Sequence, residues 1–145
     1  MKWITRTALV ALLLVGFTST SLHAQRNDNG GPRTSQAYYK ITLGHQQEWL
    51  SLYKNYHYPI LKELQKEGYI QSITVYKRDR HHLSPSWDYV LQIVWRDKVA
   101  QVTGDSPELL HKLFPDWADY QKNEARRWEI TQDHWDEDLS PVPVD

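Results

Sequence analysis

The sequence predicts an α+β fold: one antiparallel sheet of four strands with two helices on one face, in the order β-α-β-β-α-β. Three observations predict it. Over residues 37–138 the hydrophobic period switches four times between alternation and a return every three or four positions. Glycine and proline fall at or near most of the switches. Each alternating segment also has one distinctly more apolar side, which fixes the phase in which it packs.

Tyr38 to Leu43 alternates, with Tyr39, Ile41 and Leu43 on one side and Tyr38, Lys40 and Thr42 on the other, and is the first strand. Gly44-His45 turns the chain. From Gln46 to Glu67, Trp49, Leu52, Tyr53, Tyr56, Ile60 and Leu64 mark one helical face, and Gly68 ends the helix. Pro59 lacks the N–H that would bond Asn55, so a kink is expected over Asn55 to Tyr58. Tyr69 to Lys77 and Asp88 to Trp95 form a long hairpin with Ser84-Pro85-Ser86 at its tip. The second helix starts after Gly104, capped by Ser106 with Pro107 in the first turn, or by Asp105 with Glu108 as its box partner. Its stripe is Leu109, Leu110, Leu113, Phe114, Trp117 and Tyr120, and Pro115 interrupts it. Arg127 to Trp135 alternates again and is read as the fourth strand.

This order is the ferredoxin-like, or split βαβ, arrangement. Tyr39, Ile41 and Leu43 with Ile73, Val75, Leu91 and Ile93 are expected under the helices. The reverse face then carries Tyr38, Lys40, Thr42, Ser72, Thr74, Tyr76, Val90, Gln92 and Val94, a mixture suited to a ligand cavity or a sheet-on-sheet interface.

Outside this domain the chain reads differently. Lys2 and Arg6 precede an apolar run from Ala8 to Phe17 and a small polar stretch ending at Ala24, so residues 1–24 read as a secretory signal peptide. About ten apolar residues make a helix of about 15 Å, against the roughly 30 Å hydrocarbon core, so no membrane anchor is expected. The expected destination is the periplasm or the medium. Residues 25–36 are expected to form a flexible leader and residues 139–145 an extended, proline-punctuated tail.

The 145-residue chain has no cysteine, which excludes disulfides, thiolate metal sites and thiol nucleophiles. A formal charge of -1, falling to -3 when Lys2 and Arg6 leave with residues 1–24, argues against nucleic acid as a partner. Beyond residue 24 the chain keeps Trp49, Trp87, Trp95, Trp117, Trp128 and Trp135, with nine tyrosines and a single phenylalanine, Phe114. Such aromatics either fill a small core or line wet interfaces and ligand cavities.

The run Tyr38-Tyr39-Lys40-Ile41-Thr42-Leu43, the helix segment Tyr58-Pro59-Ile60-Leu61-Lys62-Glu63-Leu64 leading to Gly68-Tyr69-Ile70, and the closing Arg127-Trp128-Glu129-Ile130 resemble the dimeric α+β barrel superfamily. That group includes stress-responsive α/β barrel, antibiotic-biosynthesis monooxygenase-like and NIPSNAP-like proteins. The resemblance implies a homodimer whose sheets pack face to face, with clefts for small aromatic or hydrophobic molecules. Some members of that group are monooxygenases, haem-degrading enzymes or polyketide-type cyclases, and many have no assigned activity, so the resemblance leaves catalysis open. The Asn, Trp and His of haem-degrading relatives are matched only by residue type, in Asn55, Trp117 and His111.

Candidate site residues follow from chemistry. His57, beside the Pro59 kink, is the candidate acid or base, with a partly exposed helix histidine as the alternative. Tyr38, Lys40, Tyr76 and Gln92 on the reverse sheet face are the candidate ligand-binding set, with dimer packing as the alternative. No metal is expected: His45 lacks a zincin spacing, His81 and His82 point to opposite sides of a strand, and Asp133, Asp136, Glu137 and Asp138 lack the spacing of a calcium loop. No motif calls for a cofactor. Three functions remain open: a small-molecule-binding homodimer, a cofactor-independent monooxygenase or cyclase, and a structural protein whose reverse face is only an interface.

Overall fold

A computed structural model describes residues 30–79, 86–103, 106–142 and 144 of the chain. The proposed signal peptide, residues 25–29 of the proposed leader, His81, His82, the hairpin tip at Ser84-Pro85, Asp105 and Pro143 lie outside the described residues. The elements are β1 (Arg33–Ile41), α1 (Gln46–Leu52), a π-helical turn (Tyr53–His57), α2 (Tyr58–Lys66), β2 (Ile70–Lys77), β3 (Tyr89–Trp95), α3 (Lys98–Thr103), α4 (Pro107–Leu113), α5 (Trp117–Glu129) and β4 (Thr131–Leu139). The sheet order is β2-β3-β1-β4, antiparallel throughout. This is the ferredoxin-like α+β arrangement that the period changes predict.

The helix boundaries follow local chemistry. Pro59 sits in the first turn of α2, and the ladder before it widens into the π turn where the kink is expected. Gly68, at φ +80°, closes α2: its N–H reaches Gln65 O (3.1 Å) and the Tyr69 N–H reaches Leu64 O (2.9 Å), the paired bonds of a Schellman end. Ser106 caps α4 by accepting from the Leu109 N–H (3.2 Å). Pro115 ends the run, and Asp116 opens α5 by accepting from the Asp119 N–H (3.0 Å).

Several expectations need correction. β1 begins at Arg33, so Arg33 to Gln36 pair with β3 and β4 instead of joining a leader, and Leu43 lies past the strand, 89% exposed. Helix α5 runs to Glu129, so Arg127 and Trp128 are helical; their short apolar alternation cannot distinguish the two periods, and the i,i+3 pair of Arg127 with Glu124 favours the helix. β4 consequently runs on to Leu139 and takes in the acidic residues Asp133, Asp136, Glu137 and Asp138, among which no group able to hold a metal forms in the described residues.

The core lies between the helices and one sheet face. Tyr39, Ile41, Leu91 and Ile93 are buried against Trp49, Tyr53, Ile60, Leu61 and Leu64, with Leu109, Leu110, Leu113, Phe114 and Tyr120 packed around them. Aromatic rings form its centre. Trp49 stacks on Tyr53 (5.3 Å) and Tyr89 (5.2 Å) and tilts against Tyr39 (4.7 Å). Val75, expected in this core, is 38% exposed because the helices do not close over the outer edge of β2.

Candidate functional site

On the reverse sheet face, register brings the proposed ligand residues together. One cross-strand row reads Tyr76, Val90, Tyr38, Trp135, and the next reads Thr74, Gln92, Gln36, Glu137. Tyr38 stacks flat on Trp135, with ring centroids 4.9 Å apart and planes 2° apart, and Trp87 meets it edge-on at 6.1 Å. The polar atoms are already engaged with one another: the Tyr38 hydroxyl donates to Gln36 Oε1 (2.5 Å), and Gln36 Nε2 donates to Gln92 Oε1 (2.8 Å). Lys40 pairs with Asp88 at 3.7 Å. Burial, with Glu137 nearby, raises the pKa of Tyr38 and keeps it a neutral donor. Tyr76 is left 46% exposed. Sequence reasoning missed Gln36, assigned to the leader, and Trp135, whose face depended on the correct start of β4.

The other face holds a different kind of site. Between the π turn and the β2 edge lies a cleft of about 420 Å³, lined by Leu50, Tyr53, Lys54, Tyr58, Ile73, Val75, Lys77 and Tyr89. Its volume falls within the roughly 300–1,000 Å³ of small-molecule sites. Strand alternation puts Ile73, Val75 and Lys77 on this side, and the π turn presents Tyr53 and Lys54 across from them. Pro59 is thus the local cause of the cleft's helical wall.

The hydroxyl of Tyr53 is an anomaly in this wall. Trp49 Nε1 donates to Thr131 Oγ1 (2.9 Å), Tyr89 to Gln46 O (3.2 Å) and Trp95 Nε1 to Ser35 Oγ (2.9 Å), so the polar ends of these core aromatics are satisfied. Tyr53, 1% exposed, has a buried hydroxyl with no hydrogen-bond partner among the described residues. An orphaned hydroxyl costs about 1–3 kcal/mol. Burial pushes the Tyr53 pKa well above the ordinary phenolic value, so the group stays a neutral donor.

His57, the candidate acid or base, ends the π turn on the helical side of the sheet. Its ring lies 5.4 Å from that of Tyr53. It is therefore separated from Tyr38, Tyr76 and Gln92 by the sheet, and the two proposed sets do not form one centre. No helix among the described residues is long and apolar enough to cross a membrane.

No protein-family model matches the chain, nor does any curated protein sequence. Solved structures do. A hypothetical protein of Arabidopsis thaliana aligns with a TM-score of 0.54 at 11% identity, over 84% of this chain and 98% of that one. A NIPSNAP family protein from Agrobacterium tumefaciens aligns with a TM-score of 0.52 at 16% identity, over 79% and 90%. A dabb family protein with a ferredoxin-like fold from Mesorhizobium loti aligns with a TM-score of 0.46 at 10% identity, over 78% and 99%. At these identities the first two likenesses establish the fold alone. That fold is shared with a member of one of the groups the sequence resembles.

Proposed function

We propose that the protein is an exported homodimer that binds a small aromatic or hydrophobic molecule, with the cleft beside the π turn as the binding site and the reverse sheet face as the dimer surface. The carrying observation is the cleft itself: about 420 Å³, largely apolar in its walls, with an unsatisfied buried hydroxyl on Tyr53. An occupant with an acceptor atom would satisfy that donor after a small side-chain adjustment. The division of roles rests on satisfaction of polar groups. Tyr38, Gln36 and Gln92 already bond one another and Lys40 already pairs, which suits packing against a second copy better than recognition of a ligand. Export rests on the pattern of residues 1–24, and sequencing of the mature amino terminus tests it by finding Gln25 first.

The binding test uses N-phenyl-1-naphthylamine, a neutral apolar fluorophore, titrated into the mature protein. Saturable binding is expected, lost when Val75→Trp fills the cleft and retained in Tyr76→Ala. Loss in Tyr76→Ala with an intact dimer, and retention in Val75→Trp, would move the site to the Tyr38, Tyr76 and Gln92 face. A cyclase or monooxygenase is the second reading, favoured by the position of His57 in a π turn against Tyr53, since such turns recur at functional sites. Turnover undiminished in His57→Ala removes His57 from any acid–base role.

A further inference from the structure

We infer that the cleft selects an anion: a flat apolar molecule carrying one carboxylate, held with its ring between the π turn and β2 and its charge at Lys54 and Lys77. The inference rests on the binding reading above and adds the chemical class of the ligand.

Three observations point the same way. The cleft is lined by two lysines and no carboxylate, in a chain with 18 acidic against 17 Lys and Arg residues. The ammonium group of neither lysine has an ion pair or hydrogen bond among the described residues, whereas those of Lys40, Lys66 and Lys112 are each held by an acid. Lys77 also borders a second, polar recess containing Asp79 and Asp88, but Asp88 is engaged there by Lys40 (3.7 Å) and by the Ile41 N–H (2.8 Å). Both lysines are exposed, so they stand at the mouth, while Tyr53 and Tyr89 are buried in the wall. Apolar depth with cations at the mouth is complementary to an amphipathic acid. A cationic ligand would meet like charge, and a neutral one would leave both ammonium groups without a counter-charge. The Tyr53 hydroxyl in the wall would additionally pair with a polar atom carried on the ring portion of a ligand.

The test compares 2-naphthoate with its neutral analogue 2-naphthalenemethanol by titration calorimetry at low salt. Naphthoate is expected to bind at least about fivefold more tightly, from two solvent-exposed ion pairs. Added salt should erode the preference, and the double variant Lys54→Gln/Lys77→Gln should abolish it, bringing naphthoate's affinity down to that of the alcohol measured on the same variant. Both substitutions are on exposed side chains, and circular dichroism verifies the fold. Equal binding of acid and alcohol by the wild type would overturn the charge selection and leave the cleft reading standing. A preference that survives the double variant would overturn the placement at these lysines. Failure of both probes to bind would sink the cleft reading and the inference with it.

Discussion

Tyr39 lies between two aromatic neighbours, Trp49 at 4.7 Å and His134 stacked at 4.4 Å, and is 4% exposed. Burial pushes its pKa up to about 12, with Arg127 opposing the shift, and burial raises Tyr53 further. The sign follows directly: the unfolded chain ionises these phenols near pH 10 while the fold resists. Their contribution to stability is whole below pH 10 and is lost as pH rises, through about 12 for Tyr39 and later still for Tyr53. Urea melts across that window should show a falling midpoint, less steep in Tyr39→Phe, and tyrosinate absorbance should reveal late-titrating rings. Titration of every tyrosine near pH 10 in the folded protein would contradict this. At the acid end Glu48, held to about 2 by hydrogen bonds from Arg126 and His45, acts in the opposite sense, its contribution lost only as pH falls toward 2. It is exposed, so the effect is small.

Capping and breaking govern the elements. Ser106 supplies the acceptor for one of the free N–H groups of a seven-residue helix that places Leu109 and Leu113 on the core. Ser106→Ala should cost about 1 kcal/mol by thermal melting. A change within error would mean that the packing of α4 alone holds it. Pro59 acts through what it cannot donate, and the resulting π turn was legible in the sequence as a kink, though not as the wall of a cleft. The β4 boundary was not legible. Its decisive feature is Arg127, 1% exposed, which forks onto Glu124 (3.0 and 2.7 Å) and lies over the Trp128 ring at 4.7 Å. A buried arginine breaks the apolar alternation that a reader of sequence relies on.

For the whole molecule, the proposed dimer depends on a sheet face that the chain's own helices leave uncovered. Trp135→Asp should give a folded monomer by light scattering, because a carboxylate would lie where Tyr38 now stacks and would have to be desolvated in the interface. A wild-type protein already monomeric at micromolar concentration, with the same circular dichroism, would refute self-pairing through this face.

The sequence by itself determined the β-α-β-β-α-β order, the helix punctuation at Pro59, Gly68 and Pro115, and the alternation that separates Tyr39 from Tyr38, because these depend on residues within a turn or a strand of one another. Only the tertiary structure decided which groups are already satisfied and which are not. Gln36 bonds Gln92 across 56 positions, Trp49 bonds Thr131 across 82, and the Tyr53 hydroxyl has no partner among the described residues. Hydrogen-bond satisfaction and cavity volume depend on where distant segments come to rest, and no periodicity in the chain encodes them. That is why alternation could mark the reverse face as a ligand site or a dimer surface, and why the cleft beside β2 is visible only in three dimensions.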